Sequence, residues 1–237
     1  MFKRIKYFIF MLLTFVKVYL SHETCKCGLR NDYGSSINRI IGGKPASRHP
    51  WQVGLLSASN HGGIDICGGT IISSKYVLTA AHCTYSHRSI PHGLLVRVGS
   101  SDILAGGFTI YVKKIINHPN YQFQQRPWGV WPIANDISLL QLARPIIFNQ
   151  RIMPICLPQD NTNYLVSTKA IAVGWGQTSP GPMGMPSRYL MEAQLTIIGY
   201  SRCCVKTMDY HTGACNGDSG GPLMVVQNGR YELKKSL

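Results

Sequence analysis

Short runs of alternating apolar and polar residues recur along this chain, and they constrain its fold more than any other feature. They lie at Gln52 to Leu56, Cys67 to Ile72, Tyr76 to Thr79, Leu94 to Val98, Phe108 to Ile116, Ile137 to Leu142, Ala170 to Gly174, Tyr189 to Ile198 and Pro222 to Val226. In the Phe108 run, Phe108, Ile110 and Val112 point one way and Thr109, Tyr111 and Lys113 the other, the period of a half-buried strand. Gly, Pro, Asn and Ser punctuate the runs, and no segment offers a long amphipathic helix. This predicts an all-β sandwich or barrel. The 237 residues suffice for one large domain or two small ones, and a hydrophobic content of 45% excludes a disordered chain.

The N-terminal residues read differently. Lys3, Arg4 and Lys6 precede an apolar run from Tyr7 to Val16 that Lys17 interrupts. It is too short for a membrane span and fits a secretory signal peptide over residues 1–21, followed by a propeptide at 22–39 and the main domain at 40–237. Secretion places the eight cysteines in an oxidising compartment, where they pair as disulfides, and no Cys/His cluster has zinc spacing. No metal or cofactor is expected. The net charge of +14 would favour acidic glycans or proteins, although no basic run is dense enough to read as a dedicated tract or as a nucleic-acid site.

Three strings carry chemistry: Thr79-Ala80-Ala81-His82-Cys83, Asn135-Asp136-Ile137-Ser138-Leu139-Leu140 and Gly217-Asp218-Ser219-Gly220-Gly221-Pro222. An alcohol oxygen is a poor nucleophile unless a neighbouring base takes its proton, and that base needs a carboxylate to hold its tautomer. Ser219, His82 and Asp136 supply one group for each role. A lone Asn-Asp is usually a turn and a lone His usually structural. Together, in the order His, Asp, Ser and with these flanks, they are specific.

On these strings the chain, from about Cys27 to Leu233, resembles the trypsin/chymotrypsin family of serine proteases. The resemblance implies two six-stranded antiparallel β-barrels and a serine endopeptidase acting on protein or peptide substrates through an acyl-enzyme. Gly217 and Ser219 match the positions whose N–H groups form the oxyanion hole. Arg39-Ile40-Ile41-Gly42-Gly43 resembles the activation site: an Arg-specific activating protease would cut after Arg39, freeing an Ile40 amine to pair with the Asp218 carboxylate. The family pattern also implies one bridge between Cys67 and Cys83, and another, between Cys27 and Cys156, that keeps the cleaved propeptide attached. Ala170 and Val225 stand where the family usually pairs two cysteines. Gly213, followed by Ala214, matches the base of the specificity pocket, so no carboxylate there greets Arg or Lys and neutral side chains are favoured.

The pattern also departs from the family. The ending Tyr231 to Leu237 halts before the strand that pairs with substrate in relatives, and the C-terminal helix does not follow, so the second barrel is expected to be incomplete. The segment from Cys203 to Gly213 is shorter than in relatives. Cys25, Cys203, Cys204 and Cys215 thus have no assigned partners, with a bridge from Cys203 or Cys204 to Cys215 left open. A catalytically impaired homologue with a binding or regulatory role is the alternative to the enzyme. Between Ser100 and Ile110 only Asp102 offers a carboxylate, too few oxygens for calcium. Gln122 to Pro132, with Trp128 and Trp131, reads either as a packed aromatic loop or as a lip over the substrate cleft.

Overall fold

The computed structural model describes residues 26–30, 44–46, 48–59, 63–121, 135–158, 167–177, 185–197, 205–207 and 217–236. Among them are twelve strands and two short 3-10 turns, Tyr85–His87 and Pro91–Gly93. No helix among the described residues is long and apolar enough to cross a membrane.

Six strands close into an antiparallel barrel: β2 (Gln52–Ala58), β3 (Ile64–Ile71), β4 (Tyr76–Thr79), β5 (Leu95–Val98), β6 (Phe108–Asn117) and β7 (Ser138–Leu142), in the order β2-β3-β4-β7-β6-β5. Closure leaves no free edge. The alternating sets turn inward as their period requires. Val53, Leu55, Val77, Val96, Val98, Ile110 and Leu140 are all buried, each stabilising the fold by about 1.5–3 kcal/mol.

Phe108 corrects one expectation. It remains exposed at the first position of β6, where the Arg144 guanidinium lies 5.5 Å from its ring centre, while Ile110 and Val112 are buried. Beyond Val112 the pairing with β7 slips by a bulge, so Lys113 and Lys114 both face solvent.

The other strands are β1 (Lys44–Pro45), β8 (Lys169–Gly174), β9 (Met191–Ile197), β10 (Val205–Thr207), β11 (Pro222–Gln227) and β12 (Arg230–Ser236). They form a second antiparallel sheet in the order β1-β9-β8-β11-β12, with β10 also on β9, and among the described residues this sheet does not close. Among the described residues the second barrel is incomplete, as expected. Strand β12 occupies the stretch that the alternation leaves unassigned. It folds back on β11 through Asn228 and Gly229, whose φ values of 50° and 73° suit a two-residue hairpin turn.

Trp51 and Trp175 join the two units. Both are essentially inaccessible, and the Trp175 indole donates across the junction to the Ser101 carbonyl at 2.9 Å. Ala170 and Val225 are buried in a small apolar cluster with Ala172, Leu195, Ile197 and Leu223.

Among the described residues two disulfides are formed, Cys67 to Cys83 and Cys27 to Cys156. The second anchors residues 26–30 to the body of the domain. Gly28 N–H donates to Pro154 O and Tyr231 N–H to Gly28 O, each at 2.9 Å. Gly28 has φ of 61°, and a side chain there would strike the Tyr231 carbonyl.

Candidate active site

Antiparallel pairing of β4 with β7 sets Thr79 opposite Ser138. The chain leaving β4 and the chain entering β7 therefore lie side by side, and His82 and Asp136 stand on those two extensions. The approach to Asp136 is bent by Asn135, which has φ of 59°; its side-chain amide donates to Asn120 O at 2.9 Å. Asn tolerates this left-handed geometry better than most residues.

The Asp136 carboxylate grips His82 at two points. Oδ1 accepts the His82 backbone N–H at 2.8 Å and Oδ2 accepts the ring Nδ1–H at 2.7 Å. With its proton held on Nδ1, the imidazole keeps the Nε2 lone pair as an acceptor. Burial pushes the Asp136 carboxyl upward, but hydrogen bonds from the His82 ring and backbone, electrostatic attraction to that ring and the Ala81 N–H outweigh it, so the group lies below its ordinary range. Nearby, burial first and the Asp136 charge second raise the Tyr121 phenol above its usual value.

Ser219 arrives from the second unit, on the turn before β11. Its carbonyl accepts Gly68 N–H from β3 at 2.7 Å, and the same carbonyl lies 3.6 Å from Sγ of Cys83, the neighbour of His82. Gly221 N–H donates to Asp218 O at 2.9 Å, closing the turn. Contact between turn and barrel is backbone on backbone: a Cβ on Gly68 would sit 2.7 Å from Gly221 N, and one on Gly220, at φ of 82°, would strike Thr79 Oγ1. Gly217 has φ of 99°, a conformation open to a residue without Cβ. The three strings thus converge where the closed barrel meets the open sheet.

The Asp218 carboxylate lies against the Gly174 to Gly176 segment, where Oδ1 accepts Gly176 N–H at 2.8 Å. A methyl group at Gly174 or Gly176 would strike that carboxylate. Neither glycine belongs to the three strings that carry the chemistry. The signal available was the Gly174-Trp175-Gly176 string at the end of β8, where a missing Cβ marks a close approach.

His82 lies near Cys67 and Cys83, all three within 4.8 Å by their polar atoms. Both sulfurs are bonded to each other, so this cluster offers no thiolate to a cation. Asp102 is engaged by Arg188 at 2.9 Å, and that hydrogen bond is the chief reason its carboxyl falls below the usual range. Arg39, Ile40, Gly213, Ala214, Cys25, Cys203, Cys204 and Cys215 lie outside the described residues, as do residues 1–21 and the Gln122 to Pro132 segment.

A family model described as Trypsin matches residues 40–233. The chain is 35% identical over 215 residues to ovochymase-2 of Mus musculus, an alignment covering 81% of this chain and 33% of that protein. It is 32% identical over 225 residues to the clotting factor G beta subunit of Tachypleus tridentatus, covering 84% of this chain and 68% of that one. The chain therefore spans a third of the length of its mouse relative. A match of this extent, over a closed barrel and its open companion sheet, makes the chain a member of the trypsin family of serine proteases.

Proposed function

We propose that this chain is a secreted serine endopeptidase zymogen in which Ser219 is the nucleophile, His82 the general acid and base, and Asp136 the orienting carboxylate. The observation that carries the reading is the pair of hydrogen bonds that Asp136 accepts from His82 across 54 residues of sequence, beside a Ser219 turn tied to the adjacent strand β3. His82 Nε2 takes the Ser219 proton as its oxygen attacks a peptide carbonyl, then returns it to the leaving amine. The Gly217 and Ser219 N–H groups stabilise the developing oxyanion. Water repeats the cycle on the acyl-enzyme.

Activation follows cleavage after Arg39 by an Arg-specific protease, with the new Ile40 amine pairing with Asp218. Gly213 and Ala214 at the pocket base favour neutral side chains in the substrate. The basic surface suits acidic glycans or proteins as secondary partners.

A fluorophosphonate probe offered to the Arg39-cleaved chain tests the reading. Labelling is expected, with peptide mapping placing the adduct on Ser219. A folded, cleaved chain that stays unlabelled, or carries its adduct elsewhere, overturns the reading and leaves a binding or regulatory homologue. A second expectation concerns the anchored segment: the piece holding Cys27 stays with the protease unit on a non-reducing gel after cleavage and separates on reduction. Its loss without reductant would contradict the zymogen arrangement.

A further inference from the structure

We infer that Thr84 is a positioning residue for His82, acting through its hydroxyl; this rests on reading His82, Asp136 and Ser219 as the catalytic set. Thr84 ends the tight turn that carries His82, with its N–H on Ala81 O at 3.0 Å. The side chain is completely buried, two positions beyond the histidine. From there one hydroxyl reaches both strands that flank the entry to β7. Thr84 Oγ1 lies 2.8 Å from Asn117 Oδ1 at the end of β6 and 3.1 Å from Ser138 Oγ at the start of β7.

Asn117 and Ser138 are register partners, and Ser138 stands two residues after Asp136. The Thr84 hydroxyl therefore ties the segment carrying the base to the start of the strand that Asp136 leads into. It has one proton. Two acceptors that cannot donate face it, Asn117 Oδ1 at 2.8 Å and the turn's own Ala81 O at 3.1 Å; the nearer takes the proton, and Ser138 supplies the hydrogen in its own contact with Thr84. Ser138 is itself buried, so both hydroxyls depend on protein partners. Threonine suits the position because β-branching restricts χ1 and so fixes where the hydroxyl points.

Without the tie, the His82 turn and the Asp136 entry are held beyond the end of the β4–β7 ladder only by hydrogen bonds to the Asp136 carboxylate itself, two of them the bonds whose geometry catalysis needs. A tie made elsewhere lets those bonds remain short while the imidazole gains and loses a proton. Valine at position 84 would keep the shape, remove the hydroxyl and leave the buried Ser138 hydroxyl and the half-buried Asn117 Oδ1 each without this partner.

The test compares Thr84→Val with Thr84→Ser. After Arg39 cleavage, Thr84→Val should label with fluorophosphonate about 10- to 100-fold more slowly, the scale of a small misplacement. Thr84→Ser should restore the rate. Independently, in the uncleaved chain, the low-field proton resonance of His82 Nδ1–H should be sharp in the wild type and in Thr84→Ser, and broadened by water exchange in Thr84→Val. A folded Thr84→Val with a sharp resonance and wild-type labelling overturns the inference, even if its melting temperature falls. Should the wild type itself fail to label while Thr84→Val still loses the resonance, the catalytic reading fails and the positioning role stands. If Thr84→Val does not fold, Ser138→Ala removes the other end of the tie and carries the same two expectations.

Discussion

Asp136→Asn is expected to lower kcat by about 10⁴-fold while KM stays near its wild-type value, the scale seen when a catalytic histidine is held in the wrong tautomer. The geometry explains why an amide of the same shape does so much harm. One oxygen of Asp136 accepts the His82 backbone N–H at 2.8 Å, and the other accepts the ring Nδ1–H at 2.7 Å. An asparagine has only one acceptor. The backbone N–H cannot change its role, so the amide oxygen stays on that side and the NH₂ group faces the ring. Nδ1 must then accept, the ring proton moves to Nε2, and the lone pair that would take the Ser219 proton is gone. Steady-state kinetics on the cleaved variant decide the matter, and a kcat within tenfold of wild type would refute the assignment of Asp136.

The same variant should change the acid limb of stability. In the folded chain the Asp136 carboxyl lies below its ordinary range, so the carboxylate contributes stability above the unfolded value, near pH 3.9, and loses it as pH falls through the lower folded value. Asp136→Asn should therefore flatten the fall in melting temperature over that acid window.

The strings around His82, Asp136 and Ser219 are readable because each packs chemistry and flanking context into six residues or fewer. Most strands are readable because a closed barrel has an inside, so its apolar positions alternate. Where that condition lapses, so does legibility. Phe108 belongs by period to the inward set, yet at the end of β6 there is no interior to enter. Arg230–Ser236 has only a partial alternation, and Asn228-Gly229 is the sharper signal for it. The hydroxyl tie was not legible at all: Thr84, Asn117 and Ser138 are ordinary polar residues, and only the pairing of β6 with β7 and the fold of the His82 turn bring them together. Gly174 and Gly176 pose the same difficulty, since what they leave room for lies more than forty residues away.

Those glycines support the second large effect. Gly176→Ala is expected to slow labelling of Ser219 by about 10²–10³-fold, the scale of losing an oxyanion donor. Neither Gly174 nor Gly176 has a positive φ, so alanine meets no backbone penalty at either position. The damage is confined to the collision of its methyl with the Asp218 carboxylate. Asp218 is a short side chain one residue from Gly217 and Ser219, so displacing its carboxylate breaks the Gly176 hydrogen bond and drags the turn that aims both N–H groups. The closed barrel does not contain β8, so unfolding should remain cooperative. Gly229→Ala is the matched control. That glycine has φ of 73° with nothing within 4 Å of a Cβ, so alanine there costs about 1–2 kcal/mol of backbone strain and leaves labelling intact. If Gly176→Ala labels as fast as Gly229→Ala, the Asp218 carboxylate does not govern the turn, and the proposed pairing of Ile40 with Asp218 loses its means of switching the enzyme on.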